Sequence, residues 1–105
     1  MPAVNLTVDV HCIRSCLDIL NRADQTLYRL YINNDLLTER TWIWRNSICI
    51  KENIWVYTKT TNLLTIQPII VSREQVMFTL NNFIVVNQPC TFEQINEHTI
   101  SFTLQ

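Results

Sequence analysis

Apolar and polar side chains alternate with a period of two residues along much of the chain. The pattern is clearest over residues 5–11, where Leu6, Val8 and Val10 are separated by polar residues, and it recurs over residues 26–32. Successive side chains of a strand point to opposite faces of the sheet. Each segment therefore predicts a strand with one buried and one exposed face.

Other segments rich in β-branched and aromatic residues also predict strands. They lie at residues 36–38, 41–44, 48–50, 53–58, 63–69, 76–80, 83–86 and 99–104. The Asn-rich segments 33–35 and 81–82 predict turns. Residues 88–98 show no regular pattern, and residues 15–23 are the one candidate for a short helix.

About eight short strands with frequent turns predict an all-β fold, an antiparallel β-sandwich with at most one short helix. Parallel βαβ units are excluded, because no segment provides the crossover helices that they require. The 105 residues are enough for one domain, which we expect to span residues 1–105.

The chain contains no glycine, which limits the chemistry that it can perform. Only glycine reaches certain backbone angles at little cost. The Walker A loop, the dinucleotide-binding fingerprint and the nucleophile elbow all need it, so all three motifs are excluded. Turns must instead use Asn and Asp, which tolerate the left-handed region better than other residues.

The charge and hydropathy of the chain exclude further classes. A net charge of −1 excludes a strongly basic nucleic-acid-binding protein, and 48% hydrophobic residues exclude a disordered tail. No apolar segment is long enough to span a membrane, and the N-terminal residues lack the pattern of a signal peptide. The carboxylates of Glu52, Glu93 and Glu97 are expected to be solvated surface groups rather than a catalytic pair.

The four cysteines are expected to be reduced and free of metal. His11, Cys12 and Cys16 form the one local cluster of metal-ligand types, but it lacks the nearby second pair of ligands that structural zinc sites have. Cys49 and Cys90 are far apart in sequence. A disulfide is the less favoured alternative, because a protein that is not secreted meets a reducing environment. We predict no catalytic residue and no cofactor.

Aromatic residues are concentrated near the middle of the chain. Trp42 and Trp44 would share one face of a strand, as would Trp55 and Tyr57. Three interpretations stay open for the tryptophans: packing in the core, contact with another protein subunit, or a platform on which sugar rings or bases stack.

Charged residues flank the first two of these tryptophans. Trp and Arg are the residue types that dominate binding energy at protein–protein interfaces. A charged rim around an aromatic centre is more typical of an interface than of an active site. We therefore predict a protein interface that includes Glu39, Arg40, Trp42, Trp44, Arg45 and Trp55.

Several segments also resemble known families. Residues 30–35, 61–66 and 76–86 resemble the strands of jelly-roll carbohydrate-binding modules, and residues 36–44 followed by 54–56 are similar to small structural proteins of tailed bacteriophages. The resemblance implies a jelly-roll-like layout of the sandwich. It carries over no site residues.

The resemblance implies a non-enzymatic virion protein assembled in the host cytoplasm. We expect a capsid decoration or cement protein that binds the major capsid protein or other virion subunits, in many copies or as a homo-oligomer. A lectin-like carbohydrate-binding module and a tail or baseplate protein are the alternatives. Neither nucleic acid nor a membrane is expected as a partner. A planar, exposed set of tryptophans would favour sugar binding, whereas burial or coverage by another chain would favour assembly.

Overall fold

The computed structural model describes residues 3–14, 26–42, 49–70 and 76–105, and these residues contain strands and no helix. The strands are β1 (Ala3–Arg14), β2 (Thr26–Ile32), β3 (Asp35–Trp42), β4 (Cys49–Tyr57), β5 (Thr61–Ile70), β6 (Val76–Val85), β7 (Cys90–Asn96) and β8 (Thr99–Leu104). The candidate helix at residues 15–23 lies outside the described residues. In the described part of the chain, no helix could cross a membrane.

The eight strands form two antiparallel sheets, which confirms the predicted all-β sandwich. The smaller sheet has the order β4-β1-β6, and the larger one has the order β3-β2-β5-β8-β7. Strand β1 is central in the smaller sheet, where it pairs with β4 over residues 3–11 and with β6 over residues 6–14. Strand β4 is therefore an edge strand of the smaller sheet, and β3 is an edge strand of the larger one.

The core lies between the two sheets and is built from the inward face of each strand. Its buried apolar residues are Val4, Leu6, Val8, Val10, Cys12, Tyr28, Leu30, Ile32, Val56, Leu64, Ile66, Phe78, Leu80, Phe83, Val85, Ile100 and Phe102. The alternation over residues 5–11 and 26–32 thus identified the buried faces of β1 and β2 correctly. The opposite face of each sheet is left for solvent or for a partner.

Because the chain has no glycine, asparagine adopts the left-handed backbone conformations. Among the described residues, those with positive φ are Asn33, Asn34, Asn82 and Asn87. Asn82, with φ of 53°, lies inside β6, close to a register shift between Thr7 and Asp9 on β1. The turn predicted at residues 81–82 is therefore wrong: these residues form an irregularity within one continuous strand.

Candidate binding sites on the three-stranded sheet

Two large aromatic side chains project from the outer face of the three-stranded sheet. Trp55 is 70% exposed and Tyr57 is 74% exposed, and both belong to the edge strand β4. They lie on the same face, because strand side chains alternate between faces. Of the three interpretations left open for Trp55, packing in the core is excluded.

Ile84 of β6, and Val86, which directly follows that strand, extend this aromatic surface across the sheet. Ile84, which is 58% exposed, pairs with Thr7 of β1, and Asn5 of β1 pairs with Trp55. Val86 is also exposed, and its backbone N–H donates to the carbonyl oxygen of Asn5 at 2.8 Å. We call the surface formed by Trp55, Tyr57, Ile84 and Val86 the aromatic face.

Amide side chains fix the surface next to the aromatic face. Nδ2 of Asn5 donates to Oδ1 of Asn53 at 2.6 Å and to the carbonyl oxygen of Ile54 at 3.5 Å. Both contacts tie β1 to β4 through side chains, in addition to the backbone ladder. Backbone and side-chain contacts therefore fix the register between β1 and β4, two of the three strands that carry the aromatic face.

The other predicted interface residues lie elsewhere. Glu39 of β3 is exposed, and its Oε1 accepts a hydrogen bond from Nε of Arg29 on β2 at 2.6 Å. Trp42 is the last residue of β3, and only its backbone is described. Trp44 and Arg45 lie outside the described residues.

Arg40 is placed differently from its neighbour Glu39. Its Nε donates to Oε2 of Glu52 in β4 at 2.6 Å, so its side chain bridges the two sheets. Glu39 lies on the outward side of the larger sheet, whereas Trp55 lies on the outward side of the smaller one. The structure therefore does not bring Glu39 and Arg40 together with Trp55.

Glu52 is buried, so the expectation that it is a solvated surface group is wrong. Its side chain is 1% exposed, and its Oε2 also accepts a hydrogen bond from the hydroxyl of Tyr28 at 2.6 Å. Burial first, and the hydrogen bond to Glu52 second, raise the pKa of Tyr28 well above its usual range. Glu93 and Glu97 are exposed, as predicted.

A second group of side chains lies at the other end of the same outer face. Asp9 and His11 of β1 and Cys49 of β4 place one donor atom each within 4.8 Å of the other two. Nδ2 of Asn82 donates to Oδ2 of Asp9 at 2.8 Å. Partial desolvation of the exposed Cys49 thiol, with a smaller contribution from Asp9, raises its pKa. We call Asp9, His11 and Cys49 the Asp–His–Cys cluster.

This cluster differs from the local one in the sequence. His11 and Cys12 are adjacent in the chain, but Cys12 is buried in the core while His11 lies on the opposite face. Cys16 lies outside the described residues. The partner of His11 is instead Cys49, which pairs with it directly in the ladder. Sequence spacing cannot show this pairing, because it depends on the register between two distant strands.

No family model matches this chain, and neither the curated proteins nor the solved structures contain a match.

Proposed function

We propose that this protein is a non-enzymatic subunit of a larger protein assembly and that the aromatic face is the surface by which it binds its neighbours. The exposure of Trp55 meets the condition that favours sugar binding, but the observation that carries this proposal is that the aliphatic Ile84 is exposed on the same sheet face as Trp55 and Tyr57. Contiguous exposed apolar patches mark interaction sites. Trp and Tyr are also enriched among the residues that dominate interface binding energy.

The position of the aromatic face on an edge strand supports the same proposal. Strand β4 has a strand neighbour on one side only among the described residues. Its outer backbone groups can pair with a strand of another chain, while exposed side chains fill pockets on the partner. An aromatic pair on an edge strand therefore offers both backbone and side-chain contacts to a second protein.

The assembly that we propose is the virion of a tailed bacteriophage, with this chain as a capsid decoration or cement protein. The support for this step is the resemblance of residues 36–44 and 54–56 to small phage structural proteins. A cement protein acts by burying surface across neighbouring capsid subunits. Many identical copies give avidity even where each contact is weak, so no catalytic group is needed.

Carbohydrate binding is the second candidate. Trp55 and Tyr57 are two residues apart on one strand, which separates them by about 7 Å along the sheet. The amide groups of Asn5 and Asn53 lie beside them. Flat aromatic rings next to amide hydrogen-bonding groups suit the apolar faces and hydroxyl groups of a sugar chain.

The test compares a variant of the aromatic face with a control variant on the other sheet. W55A/Y57A removes the two aromatic side chains of the face, and L36A removes an exposed apolar side chain elsewhere, on β3. Virions purified from cells that express each variant are analysed by quantitative mass spectrometry. We expect the wild-type chain and L36A in many copies per particle, and W55A/Y57A to be lost from the particle.

Absence of the wild-type chain from virions, or retention of W55A/Y57A, would contradict the assembly proposal. Each purified protein is also applied to a glycan array. Sugar binding by the wild type that W55A/Y57A loses, with no effect on assembly, would favour the carbohydrate-binding candidate.

A further inference from the structure

The outer face of the three-stranded sheet carries a second site, at the opposite end from the aromatic face. We propose that Asp9, His11 and Cys49 bind a divalent transition-metal ion, and that Zn²⁺ is the ion that they fit best. The three residues bring a carboxylate, an imidazole and a thiol together on one surface. The site does not depend on the aromatic face or on assembly.

The strand register alone explains why these residues meet. His11 and Cys49 are directly opposite each other in the antiparallel ladder, where Cβ atoms are about 4.5–5.5 Å apart. Asp9 precedes His11 by two residues on β1, so it projects from the same face. A cross-strand pair and a same-strand neighbour thus form a triangle of donors held by backbone hydrogen bonds.

The separation of the donor atoms is close to what zinc requires. Zinc binds sulfur, nitrogen and oxygen at about 2.0–2.3 Å, which places tetrahedral donors about 3.3–3.6 Å apart. The three donor atoms of the cluster lie within 4.8 Å of one another. Shifts of about 1 Å, within the reach of small side-chain torsions, would complete the coordination.

The donor set selects zinc over harder cations. Calcium and magnesium prefer sites made of oxygen atoms alone. A thiolate and an imidazole instead favour borderline and soft ions, and zinc accepts Cys, His and Asp in a tetrahedral arrangement. Three protein donors leave the fourth position open to water or to a donor from another molecule.

Asn82 supports the site from outside the triangle of donors. Its Nδ2 donates to Oδ2 of Asp9 at 2.8 Å, which orients the carboxylate. Hydrogen bonds of this kind fix the orientation of metal ligands, and their loss costs about 10–100-fold in metal affinity. Asn82 has a positive φ and lies at the irregularity in β6. This irregularity therefore places the Asn82 side chain where it can donate to Asp9.

Lys51 is the one cation opposite the cluster in the β1–β4 register, where it pairs with Asp9. Its positive charge opposes the binding of a metal ion. Because Lys51 is exposed, water screens this repulsion, and its removal should raise metal affinity by only about two- to fivefold. An increase in affinity on loss of a charge distinguishes a metal site at this position from unspecific binding elsewhere.

The test titrates the reduced full-length protein with Zn²⁺ by calorimetry and with Co²⁺ by absorption spectroscopy. Cobalt bound to a thiolate gives a charge-transfer band in the near ultraviolet, and its visible bands report tetrahedral geometry. We expect one ion per chain, with the thiolate band present. C49S should abolish the band, and both C49S and H11A should weaken Zn²⁺ binding by at least about tenfold.

C90S is the matched control, because Cys90 is a free cysteine in β7 of the other sheet. It should bind Zn²⁺ and Co²⁺ as the wild type does. N82G, which keeps the positive φ of this position without strain, should weaken binding by about tenfold or more, and K51A should strengthen it. Circular dichroism checks that each variant folds, which exposed Cys49 and half-buried His11 should permit.

Failure of the reduced wild type to bind either ion would overturn the proposal. So would wild-type affinity and an unchanged band in folded C49S, or equal losses in C49S and C90S. The experiment needs no partner and no virion, so its result is independent of the proposed assembly function.

Discussion

Arg40 and Glu52 join the edge strands of the two sheets through one hydrogen-bonded ion pair. Arg40 approaches from β3 with its side chain half exposed, whereas Glu52 on β4 is buried. The buried negative charge of Glu52 is therefore neutralised by an arginine whose side chain also reaches solvent. Oε1 of Glu52 is buried and has no hydrogen-bond partner among the described residues. The free energy that it costs to remove this oxygen from water is therefore not compensated by a hydrogen bond.

Loss of Arg40 should destabilise the protein strongly. R40M leaves the carboxylate of Glu52 buried without its counter-charge, which should lower the free energy of unfolding by about 3 kcal/mol. The double variant R40M/E52L should recover most of this loss, because apolar replacement of a buried pair is often neutral. Urea denaturation of both variants measures the effect.

R29M is the control for this experiment, because the pair of Arg29 and Glu39 is exposed on both sides. It should cost at most about 1 kcal/mol. A cost for R40M no larger than that for R29M would contradict a structural role for Arg40. The outcome also affects the predicted interface, since loss of assembly in an Arg40 variant would then report unfolding.

Stability should fall at alkaline pH because of Tyr28. Its folded-state pKa is raised by burial and by Glu52, whereas the unfolded pKa is about 10. Below about pH 10 both states hold the proton, so the contribution is complete. Above it the unfolded state releases the proton first, and the free energy of unfolding falls by up to about 1.4 kcal/mol per pH unit.

Denaturation of the wild type and Y28F at a series of pH values from about 8 to about 11 measures this slope. Y28F should lack the contribution of residue 28, so the two stability curves should converge as pH rises. Parallel curves over the whole range would show that Tyr28 ionises equally in both states.

Substitutions on the aromatic face should leave stability unchanged. W55A and Y57A should each alter the free energy of unfolding by no more than about 0.5 kcal/mol, because both side chains are largely exposed. F102A, which removes a buried ring, should cost about 3–5 kcal/mol. Chemical denaturation measures the free energy of unfolding of the three variants. A decrease for W55A as large as that for F102A would show that Trp55 packs in a core.

The left-handed turn residue Asn34 should tolerate glycine better than alanine. Its φ is 73°, and its side chain is exposed. N34A should cost about 1–2 kcal/mol, because a Cβ without a polar group is disfavoured in this region. N34G should be nearly neutral. Thermal unfolding of the pair isolates the backbone effect, and equal stability of the two variants would contradict it.

Local alternation predicts strands well where one face is buried. The ranges predicted for 26–32 and 99–104 coincide with β2 and β8. Strand β7, in contrast, lies in the segment 88–98 that shows no regular pattern. Its side chains are almost all exposed, so no buried face imposes a period of two on the sequence, and edge pairing with β8 alone makes it a strand.

Charged and polar residues inside strands led to further errors, and the predicted strands 36–38 and 41–44 are one strand, β3, over their described residues. The predicted strand pieces 48–50 and 53–58, joined across Lys51 and Glu52, form the continuous strand β4, but Glu52 is buried with Arg40 rather than lying in a solvated connection. The predicted strands 76–80 and 83–86 are likewise joined in β6, with an irregularity in place of a turn. The corrections in β4 and β6 depend on contacts with distant strands, which a local pattern does not contain.

The candidate sites were predictable to different degrees. Alternation places Trp55 and Tyr57 on one face, but only the burial of the opposite face of β4 shows that this face is exposed. The meeting of His11 and Cys49 depends on the β1–β4 register. A shift of one residue would turn one of the two away, so composition and spacing could not reveal the pair.

Strand β1 is synthesised before its neighbours in the sheet, yet its pairing is completed late. Among the described residues, its strand partners emerge from the ribosome only with residues 49–57 on one edge and with residues 76–85 on the other. Until then β1 is not part of its sheet, and the apolar side chains of Leu6, Val8 and Val10 are not yet held in the core. Such non-local pairing slows folding and exposes the nascent strand to aggregation. Holdase chaperones that cover β1 during translation should therefore raise the yield of folded protein.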